Sequence, residues 1–365
     1  MPSKTLSIRF PLGGVVRRAG YSEAGAKQEV YSTPWAVNVR SEDALTNRLR
    51  GGSWTPIAAG ARPSETIYRD RKLTFSANII SASRMGAHAD FSFSSDISDT
   101  TRATPFQLAE AGDTGGTVVG LVPHRDASLL GATAGELWIM HGDPTAYKLQ
   151  NVSRNVGMIN ADAWCKASDA VYFLSSRGLY VVGADGSGLK TLSEDVAPVE
   201  LTGVTDAGAT LTYNHADRGV YIHLPNTAQS WFYDLARGVF WPFKYGVTSS
   251  HVLVGPVLLA GHNDYGSIQS LRGITAVGSA SVTWAIVTGD SAEAAASNGK
   301  AAITAALASG DYSSYVKDSG TLAAGPSLFF RPRVQAMWAC VWLSSAGTWA
   351  YESVVIESIP GGRYR

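Results

Sequence analysis

The sequence predicts an all-β fold: a β-propeller-like body, an extended N-terminal arm, and a C-terminal β-rich docking segment containing one short helix. Three observations carry this. The 365 residues include 38 Gly, 10 Trp and 15 Tyr, a composition that favours turns and strands. Apolar strands separated by Gly turns recur along residues 56–271, and each second strand bears an aromatic. One segment only, Ser291 to Ala308, has the length and Ala content of a helix.

Residues 1–55 read as an extended arm. Pro11, Gly13, Gly14, Gly20, Gly25 and Pro34 punctuate them, and Arg50-Gly51-Gly52-Ser53-Trp54-Thr55-Pro56 closes them with a turn cluster. Ala36 to Arg40 alternates apolar and polar, as a short half-buried strand does. Such an arm has little core of its own, so it is expected to lie across something larger.

The body, residues 56–271, is read from strand pairs. Ser128 to Ile139 and Val171 to Val182 are two clear copies of a strand, a Gly turn and an aromatic strand. Val220 to Leu224 with Ser230 to Asp234 and Gly238 to Trp241 gives a third. Val257 to Gly261 with Gly266 to Ile268 is expected as a fourth, and Thr74 to Ser83 as an earlier one. Recurrence about every 40 residues is the mark of propeller blades, and a β-sandwich is the rival.

In residues 272–365, Val282 to Val287 reads as a strand. Ser291 is expected to cap the helix, with Glu293 in its first turn and Gly299 weakening it. Val334 to Leu343 and Trp349 to Ile356, joined by Ser344 to Gly347, are expected to form a hairpin.

Catalytic signatures are sparse. Gly183 to Gly188 has the wrong spacing for a phosphate loop and reads as a hairpin turn. Gly289-Asp290-Ser291 reads as a helix cap rather than a hydrolase serine. The seven histidines lack tight ligand spacing, although His215 and His223 are placed to meet across a hairpin. Ser95 to Asp99 lacks the Gly and Glu of a calcium loop and reads as solvated. Cys165 and Cys340 are expected as reduced thiols, Cys340 as a small buried side chain. The stretch Met1 to Phe10 lacks the apolar core of a signal peptide, and Val252 to Ala260 is too short and broken to span a bilayer. No cofactor is expected.

A formal net charge of zero hides a division. Residues 1–84 hold 13 Lys+Arg and 6 Asp+Glu, a surplus of seven positive charges. Residues 85–330 carry nine net negative charges, and residues 331–365 two net positive ones. Charged residues make up 16% of the chain, below the usual ~25%, which leaves a monomer thinly coated. Both features suggest contacts between unlike surfaces of neighbouring subunits.

The order of short motifs adds a resemblance. Phe10 to Val16, then Val37-Asn38-Val39-Arg40, then Arg48-Leu49-Arg50-Gly51-Gly52-Ser53 resembles the opening of tail-nozzle and related tail-tube proteins of tailed phages. Ser83 to Gly86, Leu121-Val122-Pro123, Val171 to Tyr180, Arg331-Pro332-Arg333 and Pro360 to Arg365 are similar to that family too. The resemblance implies a structural ring subunit, typically six-fold, beneath the portal and adaptor of a virion tail, made in the host cytoplasm. Phage DNA would slide through the bore without sequence-specific binding, which an acidic wall permits. It implies docking through the basic ends, with Arg40, Arg48, Arg50, Arg331, Arg333, Arg363 and Arg365 as the contact candidates. The alternative is a tail propeller that hydrolyses or binds host surface polysaccharide. Hydrolysis needs paired carboxylates in one pocket, and binding would use aromatics such as Trp231, Trp241 and Trp338.

Overall fold

The computed structural model describes residues 4–9, 35–37, 39–41, 49–51, 65–110, 113–124, 127–194, 201–227, 230–244, 247–260, 264–276, 278–323 and 326–361. The chain forms two compact units, one of Ile57–Thr227 and one that joins Met1–Pro56 to Ala228–Arg365. Residues 228–271, read with the body in sequence, thus belong with the two chain ends. The fold is all-β and propeller-like, with one α-helix among the described residues. Four short strands come from the N-terminal arm: β1 (Lys4–Arg9), β2 (Trp35–Val37), β3 (Val39–Ser41) and β4 (Leu49–Gly51).

The unit Ile57–Thr227 is a succession of antiparallel meanders. The first comprises β5 (Glu65–Tyr68), β6 (Arg71–Ser76), β7 (Ile79–Ala82) and β8 (Thr104–Gln107). The second comprises β9 (Val118–His124), β10 (Ser128–Thr133), β11 (Leu137–Asp143) and β12 (Ala146–Ser153). The third comprises β13 (Trp164–Ala167), β14 (Ala170–Ser175), β15 (Gly178–Gly183) and β16 (Lys190–Thr191). The hairpin of β17 (Thr210–Asn214) and β18 (Gly219–His223) follows. The expected pairs at 128–139, 171–182 and 74–83 are the β10–β11, β14–β15 and β6–β7 hairpins. Between β5 and β6, Arg69 and Asp70 both take positive φ (50° and 56°), the geometry of a tight hairpin turn.

Strand alternation explains how these sheets pack. On one face of the second meander, Leu121, Leu129, Trp138 and Met140 pack with Tyr68, Leu73, Ile80 and Phe106 of the first. On its other face, Val122, Leu130, Leu137 and Ile139 pack with Val171, Phe173, Tyr180 and Val182 of the third. A sheet covered on both sides needs apolar residues at every position, and β10 is buried along its whole length.

The second unit adds β19 (Ser230–Asp234) and β20 (Val239–Phe243), an aromatic hairpin in which Phe232 pairs with Trp241. Its remaining elements are β21 (Ser250–Leu258), β22 (Gly266–Thr275), β23 (Val282–Gly289), α1 (Ala292–Ser309), β24 (Val316–Leu322), β25 (Pro326–Phe330), β26 (Gln335–Ala336), β27 (Trp338–Ser345) and β28 (Trp349–Pro360). One sheet runs β2-β21-β27-β23-β24 and another β25-β22-β28-β4-β3, with β1 also on β28 and β26 on β22. The arm therefore contributes strands to both sheets, and Ile8 stands opposite Val354.

Two expected hairpins are corrected here. Val257–Gly261 and Gly266–Ile268 do not pair with each other: β21 pairs with β27, and β22 with β28. Nor do the closing strands form a hairpin. Both edges of β27 are occupied by β21 and β23, so the chain turns a corner at Ala346–Thr348 and enters the other sheet. Local turn chemistry cannot reveal that an edge is already taken by a distant strand.

The helix forms where expected. Ser291 caps it by accepting the Ala294 N–H at 3.0 Å, and Gly310 closes it in the left-handed region at φ 76°. Cys165 and Cys340 are both buried and not joined in a disulfide, and burial pushes the Cys340 thiol pKa up.

His251 on β21 sets up a pH dependence. Its Nδ1 accepts the Trp342 indole N–H at 3.2 Å, so Nε2 carries the proton and meets Ser249 Oγ at 2.8 Å. Burial lowers its pKa to about 4. An unfolded His titrates near 6.5, so the unfolded chain binds the extra proton first as pH falls. The stabilisation is complete above about pH 6.5 and is lost on the way to pH 4, amounting to about 2–4 kcal/mol. Thermal melts from pH 7.5 to 4.5 should show this slope in the wild type and a shallower one in His251→Asn.

Candidate functional site

The connection between β7 and β8, residues 83–103, is the most distinctive surface among the described residues. It presents Ile97 at 84% exposure and Phe93 at 64%, with Met85 and Phe91 also exposed. Large apolar side chains left in water within one loop mark an interaction surface. Local hydrogen bonds fix its course. Asp96 accepts the Ser98 N–H at 2.9 Å and its hydroxyl at 2.6 Å, and Asp99 holds Thr101 in the same way. Asp90 accepts the Ser92 N–H at 2.9 Å, Arg84 pairs with Asp99 at 3.0 Å, and Arg102 donates to the Asp96 carbonyl at 2.7 Å. These bonds lower the carboxyl pKa values: the Ser92 N–H at Asp90, the Ser98 hydroxyl at Asp96 and the Thr101 hydroxyl at Asp99.

Below the loop lies Arg71, which is fully buried at the start of β6. Its guanidinium donates to the carbonyls of Ser83, Thr100 and Arg102 at 2.7–2.8 Å, to that of Thr101 at 3.2 Å, and to Asp143 Oδ2 at 3.1 Å. One side chain thus ties both ends of the loop to the second meander. A planar five-donor fork suits this task, whereas a lysine ammonium would not reach five acceptors. The loop is a braced platform.

The arginines expected at contacts fall in several places. Arg40 and Arg50 stand opposite each other in the β3–β4 register, and Arg50 also faces Ala350 of β28. Arg331 and Arg333 are exposed on the coil after β25, flanking the buried Pro332, and the Arg333 N–H donates to Asp318 Oδ2 at 3.2 Å. Arg48, Arg363 and Arg365 lie outside the described residues.

A cleft of about 370 Å³ lies between the second and third meanders, lined by His124, Ser128, His141, Asp169 and Asp185 with Ala127 and Ala184. Ser128 stands opposite His124 and His141 on adjacent strands, and its hydroxyl donates to the Ala184 carbonyl at 2.5 Å. Folding therefore gathers two carboxylates and two imidazoles that are scattered in sequence. Hydrogen bonds from Ser187, hydroxyl first, lower the Asp185 pKa, the reverse of what a glycosidic proton donor requires. His215 and His223 do not join: His215 is in the turn, while His223 pairs with Thr210 at the far end of the hairpin. Nor do the proposed glycan-binding tryptophans qualify. Trp231 and Trp241 are fully buried on opposite faces of this aromatic hairpin, both of whose strands are buried along their whole length, and Trp338 is half-buried.

No protein-family model and no curated protein match the chain. Among solved structures, the AfRom2 CNH domain aligns at 12% identity over 84% of this chain and 94% of its own, with a TM-score of 0.31. An exo-β-1,3-galactanase from Phanerochaete chrysosporium, with galactose, aligns at 10% identity over 80% of this chain and 68% of its own, with a TM-score of 0.24. Likenesses at this level carry no functional argument.

Residues 95–99 read in sequence as a solvated turn, and the folded loop adds an apolar tip that this reading lacks. The signal was present: Phe91, Phe93 and Ile97 are interleaved with Ser and Asp, so neither a core strand nor a plain polar loop accounts for them.

Proposed function

We propose that this chain is a structural assembly subunit, a ring component of a phage tail nozzle or head-to-tail connector that forms part of the conduit for genome ejection. The observation that carries the assembly reading is the braced loop of residues 83–103, which holds Phe91, Phe93 and Ile97 in solvent on a fixed backbone. A loop ordered before binding loses little entropy on docking, so it favours stable assembly. The charge division and the low charged fraction support the same reading, and the order of motifs shared with nozzle proteins supports the tail assignment. Under this reading the chain has no catalytic role, and DNA passes an acidic surface without being gripped.

Electron microscopy tests it. Tailed particles carrying this chain with a small tag should place the label on the portal axis, in the six-fold ring that the resemblance implies. Density on peripheral fibres, or no density in purified particles, refutes the assignment.

A further inference from the structure

We infer that the loop of residues 83–103 docks head-to-tail onto a second copy of this chain, against its Phe330–Arg333 segment, where Arg331 and Arg333 are exposed. The inference rests on the assembly reading above and names the partner. The loop tip is apolar and anionic: Phe91, Phe93 and Ile97 stand beside Asp90 and Asp96, which accept hydrogen bonds from Ser92 and Ser98 and form no ion pair among the described residues. The complementary surface is cationic, with one half-buried aromatic ring at its edge. Among the described residues, Arg331 and Arg333 are the one pair of exposed cations two residues apart, and no acidic side chain pairs with either guanidinium. Pro332 between them is buried, and Phe330 beside them is half-buried with its ring 5.5 Å from that of Trp284, which fixes the segment.

Because the two surfaces differ, the contact is heterologous and repeats from copy to copy, closing where the rotation permits a ring. The charge pattern of the chain agrees: residues 85–330 are net negative and residues 331–365 net positive. An anionic loop disfavours an acidic membrane surface or nucleic acid as the occupant.

Sedimentation velocity of the full-length protein over a wide range of concentration and salt tests this. The wild type should self-associate, more weakly at high salt. Phe93→Ser with Ile97→Ser should weaken association about 100-fold, the effect of two large apolar side chains left unburied. Arg331→Glu with Arg333→Glu should weaken it at least about tenfold, since like charges then face each other. Adding Asp90→Lys and Asp96→Lys to that same chain should restore it. Asp90→Asn with Asp96→Asn, which keeps the turn hydrogen bonds, should remove the salt dependence without disturbing the loop.

If the serine variant associates like the wild type, or the reversed pair fails to recover while its melting curve is intact, the contact is refuted. If the wild type stays monomeric throughout, the second copy is the wrong occupant. Axial density in particles together with a monomeric free chain would overturn this contact alone, whereas self-association without axial density would overturn the tail assignment alone.

Discussion

Replacing Arg71 with leucine should lower the melting temperature of the Ile57–Thr227 unit by about 10 °C, from a destabilisation of about 3–5 kcal/mol. The leucine fits the buried volume but leaves the carbonyls of Ser83, Thr100, Thr101 and Arg102 without their donor. It also strands Asp143, whose side chain is 18% exposed. Burial alone would raise the Asp143 pKa, but hydrogen bonds from Thr145 together with Arg71 outweigh it and hold the carboxyl below its usual value. That stabilisation is present above about pH 4 and is lost as pH falls through the lowered folded value. Arg71→Leu should therefore show a smaller acid-dependent loss than the wild type. Arg71→Lys should recover only part of the stability, because one ammonium cannot replace the fork. Thermal denaturation at pH 7 and pH 3 reads both effects, and hydrogen exchange should show residues 83–103 opening first in the leucine variant. An unchanged melting curve would mean that the loop is held by its own turns.

Gly289→Val should lift α1 from its sheet and cost about 2–4 kcal/mol. A Cβ at Gly289 would lie 2.3 Å from the Ala295 nitrogen and 2.8 Å from the Ala294 carbonyl carbon, both helix backbone that no rotamer change can move aside. Gly299 makes the contrasting case. In an exposed helix interior, Gly→Ala gains about 1 kcal/mol. Here a Cβ would meet the Leu253 side chain at 2.5–2.6 Å, and Leu253 is fully buried, so the gain should be cancelled or reversed. Circular dichroism and thermal melts of the two variants should rank Gly289→Val well below the wild type and Gly299→Ala at or slightly below it. A stabilised Gly299→Ala would show that the Leu253 side chain repacks freely.

Elements whose cause is local are legible in the sequence. Strand pairs with Gly turns at 128–139 and 171–182 form hairpins because side-chain alternation and turn residues act over a few positions. The helix starts after Ser291 and stops at Gly310 because capping is equally local. Tertiary structure alone decided the rest. Whether β27 and β28 pair depended on edges filled by β21, β23 and β22, and the helix glycine at 299 proved a packing choice against Leu253 rather than a weakness. The buried role of Arg71, which in sequence is one cation among several after Tyr68, follows from five acceptors up to 72 residues away. The cleft that gathers His124, His141, Asp169 and Asp185 likewise exists only once two meanders pack. Local propensity records the shape of each strand and turn, but the partner of an edge, a buried charge or a glycine is set by burial of residues far along the chain, which no short window contains.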